Sequence, residues 1–145
     1  MSKQLTRREI RIKAVQALFQ LFDSNQETSA DDAITFALFA GDDPDVAKVV
    51  EAPEYFKQLV EGVVEHQTEI DAVIDKYLTN WTLDRLALID LAILRLAIYE
   101  MDYVDDELVP RTVAVDEAID LSKGFSNEKS RQFVSGLLLK YLNEK

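Results

Sequence analysis

The sequence predicts an all-α protein of about six or seven helices. Three observations carry that expectation. Only four Gly and three Pro interrupt 145 residues. No sustained apolar–polar alternation, the mark of a half-buried strand, runs between turn residues. Residues suited to helix N-caps repeatedly precede apolar positions spaced three or four apart, the spacing that lines one face of a helix.

Thr6 with Glu9 three residues later reads as a capping box, and Ile10, Ala14, Ala17, Leu18 and Leu21 follow at helical spacing. The first helix therefore begins near residue 6 and ends near Asp23-Ser24-Asn25. Ser29 and Asp32 repeat the start signal for a shorter helix through Ala33, Phe36, Ala37 and Phe39, stopped by Gly41 ahead of the loop Asp42-Asp43-Pro44-Asp45. Pro53 suits a first helical turn, and Phe56, Leu59, Val60, Val63 and Val64 give the next stripe, with Gly62 a place for close helix contact. Ile70, Val73, Ile74, Tyr77 and Leu78 extend or restart it. Asn80-Trp81-Thr82 breaks the pattern, and residues 83–101 are then apolar on nearly every side, which predicts the central buried helix. Asp105-Asp106-Glu107 and Pro110 mark a loop before a shorter helix carrying Val113, Ala114, Ala118, Ile119 and Leu121 and ending about Lys123-Gly124. Ser126-Asn127-Glu128 caps a last helix with Val134, Leu137, Leu138 and Tyr141.

Length and composition predict one compact unit over residues 1–145. The apolar runs are broken by charges well before the ~18 residues a membrane span needs, so no membrane association is expected. Arg11 and Lys13 interrupt the stretch where a secretory signal would be unbroken and apolar. There is no cysteine, hence no disulfide, thiolate metal site or thiol nucleophile, and the cytoplasm is the expected compartment. The formal net charge of −11 argues at first against a polyanionic ligand. Its distribution argues the other way. Lys3, Arg7, Arg8, Arg11 and Lys13 face only Glu9 among the first thirteen residues, while the remainder carries 11 bases against 26 acids.

Arg7 and Arg11 are four apart and so share a helix face, with Arg8 beside them and Lys3 on the preceding arm. Guanidinium groups pair bidentately with phosphate and stack on unpaired bases, so the cluster suits a nucleic-acid single strand. The alternative is that these bases pair with the acidic body; cations in a first turn oppose the helix dipole, which makes a purely structural role less comfortable. Lone His66 points to packing or surface exposure rather than catalysis. The acidic runs at 42–45 and 105–107 lack calcium-loop spacing, and no phosphate loop, nucleophile triad or zinc spacing occurs, so neither a metal, a cofactor nor an enzyme is expected. Asp90 and Arg95 fall in the most apolar helix, where a charge must be paired or emerge at a surface: an internal ion pair suits Arg95, and Asp90 could reach a partner protein. Phe133, near Lys129, Ser130 and Arg131, is either core or a platform for stacking a base flanked by phosphate contacts.

Four segments then resemble, in order and at similar spacing, the NusB family of bacterial transcription antitermination factors. They are Arg7-Arg8-Glu9-Ile10-Arg11-Ile12-Lys13-Ala14-Val15-Gln16-Ala17-Leu18-Phe19, Ile93-Leu94-Arg95-Leu96-Ala97-Ile98-Tyr99-Glu100, Val113-Ala114-Val115-Asp116-Glu117-Ala118-Ile119 and Phe133-Val134-Ser135-Gly136-Leu137-Leu138. The resemblance covers essentially the whole chain and implies two small packed helical bundles. It also implies a function: binding the boxA element of nascent, notably ribosomal, RNA together with the ribosomal protein NusE, within an elongation complex of RNA polymerase and other Nus factors. By the same resemblance, RNA contacts fall on Lys3, Arg7, Arg8 and Arg11 and on Lys129, Ser130 and Phe133, and a contact to the ribosomal partner falls on Asp90. Two positions depart from the family pattern: Ser135 and Asp116 stand where Asn is usual, which weakens any role tied to those amides.

Two other readings compete. A helical protein–protein interaction module without direct RNA binding would dock the basic helix on an acidic partner. An RNA methyltransferase carrying a similar recognition domain would need a cofactor-binding domain, for which these 145 residues leave no room, so that reading is expected to survive only if the sequence is a fragment.

Overall fold

The computed structural model describes residues 5–23, 29–39, 53–78 and 82–144. Seven α-helices occupy them: α1 (Arg7–Phe22), α2 (Ala30–Phe39), α3 (Glu54–Glu65), α4 (Gln67–Lys76), α5 (Leu88–Tyr103), α6 (Arg111–Phe125) and α7 (Glu128–Glu144), with a 3-10 turn at Leu83–Arg85. No strand occurs among the described residues, so the all-α expectation holds. Lys3, Gly41, the Asp42–Asp45 loop, Asn80 and Trp81 lie outside the described residues. The chain divides into two compact units, Met1–Gly62 and Val63–Lys145.

In the first unit, α1 packs on α2. The capping box at its start is complete: Glu9 N–H donates to Thr6 Oγ1 at 3.1 Å and Thr6 N–H to Glu9 Oε1 at 3.0 Å, satisfying two end groups that would otherwise face water. Ala14, Ala17, Ala33 and Ala37 are all fully buried, and such small side chains allow two helices to approach closely. Lys13 Nζ donates to the Ala37 carbonyl at 3.1 Å, occupying an acceptor that the last turn of α2 cannot bond internally. Ser29 Oγ accepts from Asp32 N–H at the start of α2, as its spacing predicts. Phe56, Leu59 and Val60 of α3 are fully buried.

In the second unit, α5 is central and packs against α4, α6 and α7. Residues 90–101 are all buried, and side chains such as Ile93, Leu94, Leu96 and Ile98 each contribute about 1.5–3 kcal/mol by leaving water. Arg95 forms the internal ion pair that its position called for: Nε and Nη2 donate to the two carboxylate oxygens of Asp71 on α4 at 2.8 and 2.9 Å. Beyond it, Asp102 gathers α6 and α7, accepting from Arg111 Nη1 at 2.7 Å and from the Tyr141 hydroxyl at 2.6 Å.

Two boundaries differ from the pattern-based expectation. The stripe from residue 54 to 78 is two helices, broken at His66 (φ −103°, ψ 16°), whose ring stacks on Tyr103 with centroids 4.0 Å apart, a packing role. The apolar run 83–101 begins as a 3-10 turn, and α5 starts only at Leu88, because Leu86 and Ala87 are extended (ψ 147° and 135°). A pattern that is apolar on all sides carries no phase from which that break could be read.

Candidate nucleic-acid interface

The late start of α5 shapes the chemistry of the second unit. Arg85, Leu86, Ala87 and Asp90 form one wall of a groove of about 330 Å³, and Asn127, Lys129, Ser130 and Phe133 from the start of α7 form the other. The cap fixes that second wall: Asn127 Oδ1 accepts from Ser130 N–H at 2.9 Å, and Asn127 carbonyl accepts from Arg131 N–H at 3.0 Å. The predicted residues Lys129, Ser130 and Phe133 are thus brought together, and Asp90 joins them.

Phe133 is half-buried, so its ring belongs only partly to the core and retains a face for stacking. Arg85 and Lys129 are exposed, and neither forms an ion pair among the described residues. Asp90 is 4% exposed and accepts from Ser126 Oγ at 2.7 Å. Two cations, an aromatic platform, a hydroxyl and a carboxylate make a concave surface suited to one unstacked nucleotide. Pattern reading missed Arg85 by placing it inside the central helix; the signal available was Thr82-Leu83-Asp84, an N-cap residue followed by an acid.

In the first unit, Arg7 and Arg8 are exposed near the start of α1, and the Arg7 guanidinium lies over the Tyr55 ring of α3, 4.0 Å from its centroid. Cation–π attraction at this distance positions the guanidinium, a group whose N–H fork suits a phosphate. Tyr55 was not read as part of the site, and a single aromatic after Pro53 offered no spacing from which to find it. Arg11 is placed differently from Arg7 and Arg8: it is 4% exposed and engaged within the fold. It shares a stripe with Val15 and Leu18, both fully buried, so the face it occupies is an inner one.

Tyr141 shows how firmly the far end of α7 is anchored. Burial and its hydrogen bond to Asp102 push its hydroxyl up to about 12, only partly opposed by the nearby Arg111 guanidinium. Tyr77, bonded to Glu144 at 2.5 Å, is likewise raised to about 12, chiefly by that hydrogen bond. No helix among the described residues is long and apolar enough to cross a membrane.

Residues 8–143 match the NusB family. A transcription antitermination protein NusB of Lactiplantibacillus plantarum is 52% identical over 135 residues, covering 92% of this chain and 92% of that protein. Among solved structures, Thermotoga maritima NusB is similar at a TM-score of 0.78 and 31% identity, covering 95% of this chain and 91% of that one. A structure of the antitermination factors NusB and NusE with double-stranded RNA shares the fold at a TM-score of 0.77 and 23% identity, covering 96% of this chain and 97% of that one.

Proposed function

The chain belongs to the NusB family, and from that membership we propose that it is a transcription antitermination factor. In this reading it holds a single-stranded boxA-type RNA element together with the ribosomal protein NusE. It acts in the cytoplasm as a binding component of the elongation complex with RNA polymerase and other Nus factors, not as a catalyst.

The observation that carries the RNA reading is the groove. A half-exposed phenyl ring lies in a depression walled by Arg85 and Lys129, two cations without ion-pair partners among the described residues. An acidic protein spends such cations on a polyanion rather than on itself. Arg7 and Arg8 form a second contact surface in the first unit, and the family resemblance adds Lys3 to the RNA contacts, whereas Arg11, being buried, supports α1 rather than touching phosphate. Lys129 and Ser130 contact the backbone and Phe133 stacks a base.

Fluorescence anisotropy with a boxA-like single strand tests the reading, with and without NusE. Affinity is expected to rise when NusE is added. Each phosphate contact contributes about −0.7 to the slope of log affinity against log salt. Arg7→Glu and Arg8→Glu should weaken binding to all sequences and flatten that slope. Binding that ignores salt would remove the electrostatic mechanism, and capture of protein partners by a chain that binds no RNA would favour the interaction module.

A further inference from the structure

We propose that the groove between the 3-10 turn and the start of α7 is a base-selective pocket. Asp90 accepts a hydrogen bond from the exocyclic amino group of one RNA base stacked on Phe133, and Arg85 supplies a phosphate contact beside it. The proposal rests on the RNA-binding reading above and adds to it a class of base and two residues with new roles.

Asp90 is the unusual group. A carboxylate has room for about four donors. This one is 96% removed from solvent by its 4% exposure, yet among the described residues it receives one side-chain hydrogen bond, from the neutral Ser126 hydroxyl to Oδ1. Oδ2 receives none. Buried carboxylates are normally matched by cations or several donors. Arg95 and Asp71 show this chain doing so five residues further along α5. Asp90 instead forms part of the wall of an open groove. Its second oxygen is thus open to a donor from whatever occupies that groove.

The rest of the lining limits what the occupant can be. A half-buried phenyl ring calls for a flat apolar face, and Arg85 and Lys129 call for negative charge. A nucleotide offers both, and its base then meets the carboxylate. Cytosine, adenine and guanine all present exocyclic amino donors, and carboxylates accept from the cytosine amino group in known recognition geometry. Uracil presents only N3–H, set between two carbonyl oxygens that the carboxylate repels. The pocket therefore favours an amino-bearing base over uracil. Arg85, exposed on the 3-10 turn, lies on the wall that carries Asp90, where a guanidinium offsets the repulsion between that carboxylate and the strand's phosphate.

The test uses the full chain and short single-stranded RNAs in which each position in turn carries uracil or an amino-bearing base, read by fluorescence anisotropy. Wild type should show one position where uracil weakens binding about tenfold or more, the range for a hydrogen bond to a charged group. Asp90→Asn, which can turn an amide donor to the groove, should erase or invert that preference while leaving the salt slope unchanged. Arg85→Gln should weaken every sequence similarly and make the slope shallower by about 0.7. Salt-dependent binding by wild type with no such position would overturn the pocket and leave the RNA reading standing; no RNA binding at all would overturn both. An Asp90→Asn chain that keeps the base ranking but loses its protein partner would also overturn the proposal. Should Asp90→Asn fail to fold, the wild-type base scan and the exposed Arg85→Gln variant still decide it.

Discussion

Removing the two partners of the Arg95–Asp71 pair one at a time should have very unequal costs. Arg95 is 7% exposed at its side chain and Asp71 20%. Asp71→Ala leaves a guanidinium deep between α4 and α5 without its carboxylate, a situation that costs about 3–5 kcal/mol. Arg95→Met fills much of the same volume with apolar atoms and leaves a carboxylate already near enough to the surface to hydrate, for about 1–2 kcal/mol. The double variant removes the stranded charge as well, so it should be more stable than the sum of the singles by about 1–3 kcal/mol. For a chain of this size the Asp71→Ala loss corresponds to a fall in Tm of roughly 6–20 °C. Denaturant unfolding followed by circular dichroism measures these values as shifts in midpoint at constant slope. Equal losses for the two singles, or strict additivity in the double, would refute the claim that burial asymmetry governs the pair.

Phe133→Ala should weaken RNA binding by about 1–3 kcal/mol, the worth of one stacked base, while costing less in thermal stability than truncating the fully buried Leu138; anisotropy and melting curves together separate the two. Thr6→Ala removes the side-chain half of the capping box and should cost about 0.5–2 kcal/mol, seen as a lower unfolding midpoint. At alkaline pH, Tyr141 should contribute to instability with a definite sign. Its folded value of about 12 lies above the ordinary 10, so its contribution is complete below pH 10 and is lost as pH rises from about 10 to 12. Tyr141→Phe should make the alkaline unfolding profile shallower; an unchanged profile, with tyrosinate absorbance rising fully near pH 10, would contradict the assignment.

The helices themselves were legible because their start signals are chemical: Thr6 and Glu9, Ser29 and Asp32, and Asn127 make the bonds that their spacing implied. Arg95 was legible as an ion-pair member from its apolar surroundings, but Asp71 was not, since 24 residues separate them and only the packing of α4 on α5 joins them. The grouping of Lys129, Ser130 and Phe133 follows from one helix turn, and pattern reading reached it. The opposing wall depends on Leu86 and Ala87 leaving the helical conformation with neither Gly nor Pro to announce it, so only the N-cap type of Thr82 and the acid at Asp84 hinted that Arg85 stands outside the helix. The inward placement of Arg11 could have been found: Val15 and Leu18, four and seven residues on, define the stripe it occupies, whereas the four-residue spacing from Arg7 says only that the two share a face.

The double anchoring of α7 bears on binding entropy. Its first turn is fixed by Asn127 and its last by the contacts of Tyr141 with Asp102 on α5, where the Arg111 guanidinium also lies over the Tyr141 ring at 5.3 Å. A helix secured at both ends has little backbone freedom left to lose when a ligand settles against it. Amide hydrogen exchange along α7 should accordingly be slow at its termini as well as its centre and change little on RNA addition, so that affinity differences between sequences reflect contacts made in the groove rather than ordering of the helix that carries it.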